Sequence, residues 1–197
     1  MHYEAAIFDL DGTLVNSLND LADSANAVLR SHGFPAHDVE AYRYFVGNGS
    51  RKLIERILPA DRAADATFVR DFMAEYKARY ATHLLDQTKP YAGIMEMLEE
   101  LFPRDMFREI IGDQDGLPRK PNPSKVLHIM KNMGVTGDKT LYFGDTSVDM
   151  DTARNAGAFA VGVLWGFRPA EELTEHGADI LLKHPMELFE KVTFAER

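Results

Sequence analysis

The chain has 197 residues, a net charge of −9 from 22 Lys and Arg against 31 Asp and Glu, 45% hydrophobic residues and no cysteine. That length allows one large domain or two small ones, and the composition excludes a disordered or fibrous chain. The negative charge weighs against nucleic acid as a partner, and the lack of cysteine excludes disulfides, thiolate nucleophiles, iron–sulfur clusters and cysteine zinc sites.

The opening Met1-His2-Tyr3-Glu4 has neither a basic region nor an apolar run of signal length, so a cytoplasmic location is expected. Residues 3–8 then form a short apolar run that predicts a strand buried on both faces, broken by Asp9-Leu10-Asp11-Gly12-Thr13. Ser17 and Asp20 give a helix start signal, and Leu18, Leu21, Ala22, Ala25, Val28 and Leu29 follow helical spacing until Gly33-Phe34-Pro35. Phe68, Phe72, Tyr76 and Tyr80 recur every four residues on a further amphipathic helix. Residues 16–85 read as an all-helical block.

After Lys89-Pro90 the texture changes. A helix from Ile94 to Leu101 precedes the apolar run Glu109-Ile110-Ile111-Gly112, expected as a strand, and another helix opens at Pro123. Strands are predicted at residues 140–143, 158–164 and 179–182, with helices at 148–156 and 170–176 between them. The apolar stretch 158–167 is about half a membrane span and is interrupted by Gly162 and Gly166, so no membrane association is expected. Alternating strands and helices imply βαβ units and a doubly wound parallel sheet, a Rossmann-like α/β core. The economical organisation is an α/β core of residues 1–15 and 86–197 with a helical domain, 16–85, inserted after the first strand.

Three polar sites fall near the carboxyl ends of strands, where this architecture places its ligands. They are Asp9-Leu10-Asp11-Gly12-Thr13, Lys120-Pro121, and Gly144-Asp145-Thr146-Ser147-Val148-Asp149. Carboxylates converging on one cleft repel unless a cation sits among them, and oxygen ligands without His or Cys point to Mg²⁺. Such a metal usually also binds a substrate phosphate, and an aspartate can be the nucleophile of phosphoryl transfer. With Asp11 protonated as the acid, Asp9, Asp145 and a phosphate dianion bring four negative charges against three positive from Mg²⁺ and Lys120. Neutral donors such as the N–H groups of Gly12 and Thr13 must make up the rest. Asp11 stands where it can protonate the leaving alcohol and then activate water. In the helical block, Gly47-Asn48-Gly49-Ser50-Arg51-Lys52 has two readings. It is either a Gly-rich turn whose Gly49 N–H and Arg51 or Lys52 hold a substrate anion, or a flexible turn before a solvated helix. Asp149 likewise reads as a site residue or as first-turn helix chemistry.

Asp9-x-Asp11-Gly12-Thr13, Lys120-Pro121 and Gly144-Asp145-x-x-x-Asp149, in this order, resemble the first, third and fourth motifs of the haloacid-dehalogenase-like hydrolases. Ala6-Ile7-Phe8-Asp9-Leu10-Asp11-Gly12-Thr13-Leu14, Val46-Gly47-Asn48-Gly49, Arg119-Lys120-Pro121-Asn122-Pro123 and Trp165-Gly166-Phe167 are similar to the phosphoglycolate phosphatase branch. The resemblance implies Asp9 as nucleophile, Asp11 as acid/base, and Lys120 steadying Asp9 and the phosphate. It also implies Mg²⁺ held by Asp9, the backbone carbonyl of Asp11, and Asp145, with Asp149 in support, and the helical insert as a cap. The expected activity is hydrolysis of a small phosphorylated metabolite by a monomer or homodimer. The alternatives are a non-catalytic member that binds Mg²⁺ and phosphate ligands, and a sugar phosphomutase.

The family's second motif, a Ser or Thr ending an apolar strand, has no counterpart between Ile94 and Glu109. The chain runs Met95-Glu96-Met97-Leu98-Glu99-Glu100-Leu101-Phe102-Pro103 there, short by roughly two dozen residues, or one αβ unit. Thr88-Lys89-Pro90 echoes that motif only superficially, because no apolar strand precedes it.

Overall fold

The computed structural model describes residues 2–102, 107–112 and 118–194. It divides into two units, Met1–Leu14 with Pro90–Arg197, and Val15–Lys89. In chain order, β1 (His2–Tyr3) and β2 (Ala5–Phe8) open the first unit, and β3 (Val15–Asn16) begins the second. There follow α1 (Leu18–Ser31), α2 (Tyr42–Phe45), α3 (Gly49–Ile57), α4 (Ala60–Ala63) and α5 (Ala66–His83), and β4 (Lys89–Pro90) at the return crossing. The first unit resumes with α6 (Ile94–Leu101), α7 (Ser124–Met133), β5 (Thr140–Gly144), α8 (Ser147–Ala156) and β6 (Phe159–Val163). It ends with α9 (Ala170–Glu175), β7 (Ile180–Leu182), α10 (Leu188–Lys191) and β8 (Thr193–Phe194).

The first unit is a parallel sheet of order β2-β5-β6-β7. Phe8 lies opposite Phe143, Phe143 opposite Val161, and Val161 opposite Ile180. Parallel neighbours need crossovers, and α8 and α9 supply them between β5, β6 and β7. β5 is buried along its whole length, as its uncharged Thr-Leu-Tyr-Phe-Gly run requires of a strand with neighbours on both sides. On one face Ile7, Tyr142 and Ala160 pack with Val126 and Met130 of α7, Met150 and Ala153 of α8, and Leu173 of α9. This is the α/β core that the sequence predicts.

Two expectations are corrected at the sheet edge. β2 is not buried on both faces: Ala5 and Ile7 are buried, while Ala6 and Phe8 are half-buried. Its ladder partner is β5, and among the described residues no strand lies on its other side. Residues 109–112 form no strand. A strand must place its backbone N–H and C=O groups on a neighbour, and among the described residues this segment joins no ladder. The segment instead lies against α7: Asn132 Nδ2 donates to the Glu109 carboxylate at 3.2 Å, and Lys125 Nζ donates to the Gly112 carbonyl at 3.3 Å. Ile110 is left 83% exposed. Pro103, at the end of the stretch where the second motif is missing, lies outside the described residues.

The second unit buries the stripe Leu21, Ala22, Ala25 and Leu29 of α1, with Val69, Phe72 and Tyr76 of α5 and Leu53, Ile54 and Ile57 of α3. Asp65 caps α5 by accepting from the Thr67 and Phe68 N–H groups at 3.0 and 3.1 Å. α1 begins after Ser17, but the Asp20 carboxylate turns to the far end of the block. It accepts from Gln87 N at 3.0 Å, Thr88 N at 2.8 Å and Thr88 Oγ1 at 2.7 Å. These bonds draw residues 87–88 to α1, so the second crossing falls at 89/90, beyond the 85/86 of the sequence reading. They also occupy the hydroxyl of the Thr88-Lys89-Pro90 echo. Among the described residues no helix is long and apolar enough to cross a membrane.

Burial alone raises the Asp20 pKa, but the bonds from Thr88 and Gln87 outweigh it and hold the group below the ordinary 3.8. Its contribution is therefore present at neutral pH and lost as pH falls through its lowered pKa. Asp20→Ala should destabilise the chain by about 3 kcal/mol at pH 7, read as a lower urea midpoint at unchanged slope. The difference from wild type should shrink below about pH 4.

Candidate active site

Asp9 follows β2 directly, and its N–H continues the ladder by donating to the Phe143 carbonyl at 2.9 Å. The chain then turns tightly, with Leu14 N donating to the Leu10 carbonyl at 2.9 Å. Gly12 sits in that turn at φ +88°, and a Cβ there would come within 2.3 Å of Asp145 Oδ2. Both the left-handed backbone and the close approach demand glycine.

Asp145 follows β5 and is fully buried. Its Oδ2 accepts from the Phe167 N–H at 2.7 Å and its Oδ1 from Thr13 Oγ1 at 3.4 Å. A Cβ on Gly166 would lie 2.3 Å from Asp145 Cβ and 2.4 Å from the Gly12 carbonyl oxygen. Trp165 donates its indole N–H to the Thr13 carbonyl at 2.8 Å. The turns after β2, β5 and β6 therefore interlock around one carboxylate.

Asp149 lies in the first turn of α8. Its Oδ2 accepts from Thr146 N at 3.2 Å and Thr146 Oγ1 at 2.7 Å, closing a capping box. Its Oδ1 accepts from Lys120 Nζ at 2.7 Å. The same ammonium donates to Asp9 Oδ1 at 2.5 Å. The loop carrying Lys120 is fixed by Asn155 Nδ2, which donates to the Pro121 carbonyl at 2.9 Å. Lys120 Nζ also stands 5.9 Å from the centre of the Tyr142 ring, and the Tyr142 hydroxyl is 3.4 Å from Asp149 Oδ1.

Asp9, Asp145 and Asp149 each bring one oxygen within 4.8 Å of the others. Burial raises the Asp9 pKa to about 6, aided by Asp149 and opposed by Lys120. Burial, Asp149 and Asp9 likewise push Asp145 well above its ordinary value, against the Phe167 N–H and Lys120. Burial disfavours the Lys120 charge, but Asp149 and Asp9 outweigh it and keep the ammonium protonated. One ammonium for three carboxylates leaves an excess of negative charge. The donor set is oxygen only and suits a hard divalent cation such as Mg²⁺.

The remaining candidates are placed as follows. Gly12 and Thr13 are buried against Asp145, while Asp11 is exposed and its carboxylate is not part of the cluster of three. Gly49 and Arg51 belong to the other unit. Gly49 opens α3, and Arg51 Nε donates to Glu55 Oε1 at 2.9 Å, with Lys52 on the other oxygen at 2.7 Å. Sequence reasoning missed the contacts of Tyr142, Trp165 and the Phe167 N–H. The one available signal was a tyrosine hydroxyl in an otherwise apolar buried strand, which must find a partner.

The family model of haloacid dehalogenase-like hydrolases matches residues 6–105 and 102–163. The chain belongs to that family. The two matched stretches meet at residues 102–105, in the region where the second motif is missing. A phosphoglycolate phosphatase of Chromobacterium violaceum is 33% identical over 218 aligned positions, covering 96% of each chain. Those positions outnumber the 197 residues of this chain, so the relative carries residues without a counterpart here. A phosphoglycolate phosphatase of Neisseria gonorrhoeae is 34% identical, covering 84% of this chain and 82% of that one. An N-acetylmuramic acid 6-phosphate phosphatase of Pseudomonas aeruginosa is 26% identical over 96% and 95% of the two chains. A crystal structure from Lactobacillus delbrueckii subsp. bulgaricus, assigned by name to the phosphoglycolate phosphatases, superposes with a TM-score of 0.87 at 28% identity. It covers 98% of this chain and 99% of that one.

A carboxyl group whose folded pKa is raised favours the folded state most when protonated, and this contribution is lost as pH rises through about 6. In Mg²⁺-free protein, Asp9→Asn should therefore raise the Tm at pH 7.5. The gain should shrink as pH falls from 6 towards 4, as followed by calorimetric melting.

Proposed function

We propose that the chain is a Mg²⁺-dependent phosphatase acting on a small phosphomonoester through an aspartyl-phosphate on Asp9. The observation that carries this reading is the cluster itself: Asp9, Asp145 and Asp149 within 4.8 Å, with Lys120 donating to both Asp9 and Asp149. Asp9 and Asp145, with the Asp11 carbonyl and support from Asp149, would hold Mg²⁺, which supplies charge neutralisation when bound. The Asp9 carboxylate attacks phosphorus, Lys120 orients that carboxylate and offsets the phosphate charge, and the Gly12 and Thr13 turn supplies neutral donors. Asp11 protonates the departing alcohol and then takes a proton from the water that releases phosphate. Residues 15–89 serve as the cap, with Gly49 and Arg51 as its candidate substrate contacts.

The names of the relatives support a substrate class. Phosphoglycolate and N-acetylmuramic acid 6-phosphate are both phosphate monoesters of a carboxylic acid. The substrate is accordingly a phosphomonoester that carries a carboxylate, with phosphoglycolate foremost.

A second reading, a member that binds but scarcely turns over, is favoured by one observation: no described strand lies on the side of β2 away from β5 to bring a hydroxyl to the phosphate. Loss of one preorganised donor costs about 10²–10³ in kcat. Against an ordinary rate of about 10 s⁻¹, turnover should then fall to about 0.01–0.1 s⁻¹. Phosphate release from phosphoglycolate and from an aryl phosphate, measured with and without Mg²⁺, tests both readings. Release at that reduced rate, dependent on Mg²⁺ and abolished in Asp9→Asn, is expected. Full activity of Asp9→Asn would overturn the nucleophile, and binding of Mg²⁺ without release from any ester would leave only the second reading. Isomerised sugar phosphate would mark a phosphomutase instead.

A further inference from the structure

The Asp145 carboxylate is fixed by a loop distant in sequence, through the Phe167 N–H after β6. That junction has no slack. Gly166 packs on Asp145 and on the Gly12 carbonyl so closely that not even a methyl group fits. A shift of the loop after β6 by a few tenths of an ångström therefore moves the carboxylate with it.

Glu172 of α9 holds this loop against the one after β5. Its Oε1 accepts from the N–H of Ser147 at 3.1 Å, and Ser147 stands two residues after Asp145 and opens α8. Its Oε2 pairs with Nε of Arg168 at 3.3 Å, and Arg168 follows Phe167 directly. The Arg168 side chain is 8% exposed and that of Glu172 27%, so the pair is shielded from water far more than an ordinary surface ion pair. A carboxylate on the first N–H of α8 also meets the positive end of that helix. One side chain thus clamps both loops that bracket Asp145, each by a charge-assisted bond.

We propose that Glu172 is a positioning residue for the cation site: by tying Ser147 to Arg168 it sets the Asp145 carboxylate in the geometry that binds Mg²⁺. This rests on the reading of Asp9, Asp145 and Asp149 as a Mg²⁺ site. Glu172 acts through Ser147, Arg168 and Phe167 and is not itself part of the cluster of three. Outer-shell partners of metal ligands act this way in general, by narrowing the orientations a ligand samples.

The test is Mg²⁺ titration by calorimetry, without substrate, of the full chain and of Glu172→Ala, Glu172→Gln and Glu171→Ala, alongside the Tm of each Mg²⁺-free protein. Glu172→Ala should weaken Mg²⁺ binding about tenfold, and kcat at limiting Mg²⁺ should fall while KM for the ester stays unchanged. Glu172→Gln keeps an acceptor for Ser147 and loses the charge facing Arg168, so it should fall between Ala and wild type. Glu171→Ala removes a neighbouring exposed acid and should bind Mg²⁺ as wild type does. Wild-type Mg²⁺ affinity in Glu172→Ala, even with a lowered Tm, would make the clamp merely structural and overturn the inference. Should Glu172→Ala not fold, unchanged affinity in Glu172→Gln would overturn it equally. If the wild-type chain binds no Mg²⁺, the metal site falls and this inference with it. Failure confined to the Glu172 variants leaves the metal site standing.

Discussion

Three carboxylates share a buried corner with a single ammonium, and most local features follow from that imbalance. Asp9 and Asp145 are pushed towards their protonated forms by burial and by Asp149, while Lys120 is held charged between Asp9 and Asp149. A protein does not gather such groups for stability, since an uncompensated buried charge is expensive. The oxygen donors suit a hard divalent cation. The surrounding chain is built to hold the cluster: glycines where a side chain would collide with Asp145, a capping box on Asp149, and an asparagine fixing the lysine loop.

Among the described residues the sheet is open at β2. In a doubly wound sheet, neighbours on both sides supply the strand ends that face the ligand. Here β2, which leads to Asp9, has a single neighbour among the described residues, β5. The cluster of Asp9, Asp145 and Asp149 and its bonds from Lys120 form with that one described neighbour in place.

Much of this was legible in the sequence, for identifiable reasons. The uncharged run of β5 reads as a covered strand, and Asp149 reads as first-turn chemistry at the start of α8. The acidic motifs stood at strand ends, as the chemistry demands. What stayed hidden depends on distant partners. Residues 109–112 have the composition of a strand, yet a strand exists only beside another. Asp20 reads as part of a helix start, but its partners lie 67 and 68 residues away. Thr88 resembles a phosphate donor in text, and only the structure shows its hydroxyl on Asp20. Trp165 stands in the sequence only as part of the Trp165-Gly166-Phe167 passage, and the bond from its indole to the Thr13 carbonyl required the fold.

That last contact has a spectroscopic consequence. Trp165 is the only tryptophan in the chain, and its N–H is hydrogen-bonded to the backbone of the turn that carries Gly12 and Thr13. Its emission therefore comes from a single place, the seam between the turns after β2 and β6. Excited apart from the seven tyrosines, Trp165 reports on those two turns, so the opening of that seam is observable without any added label.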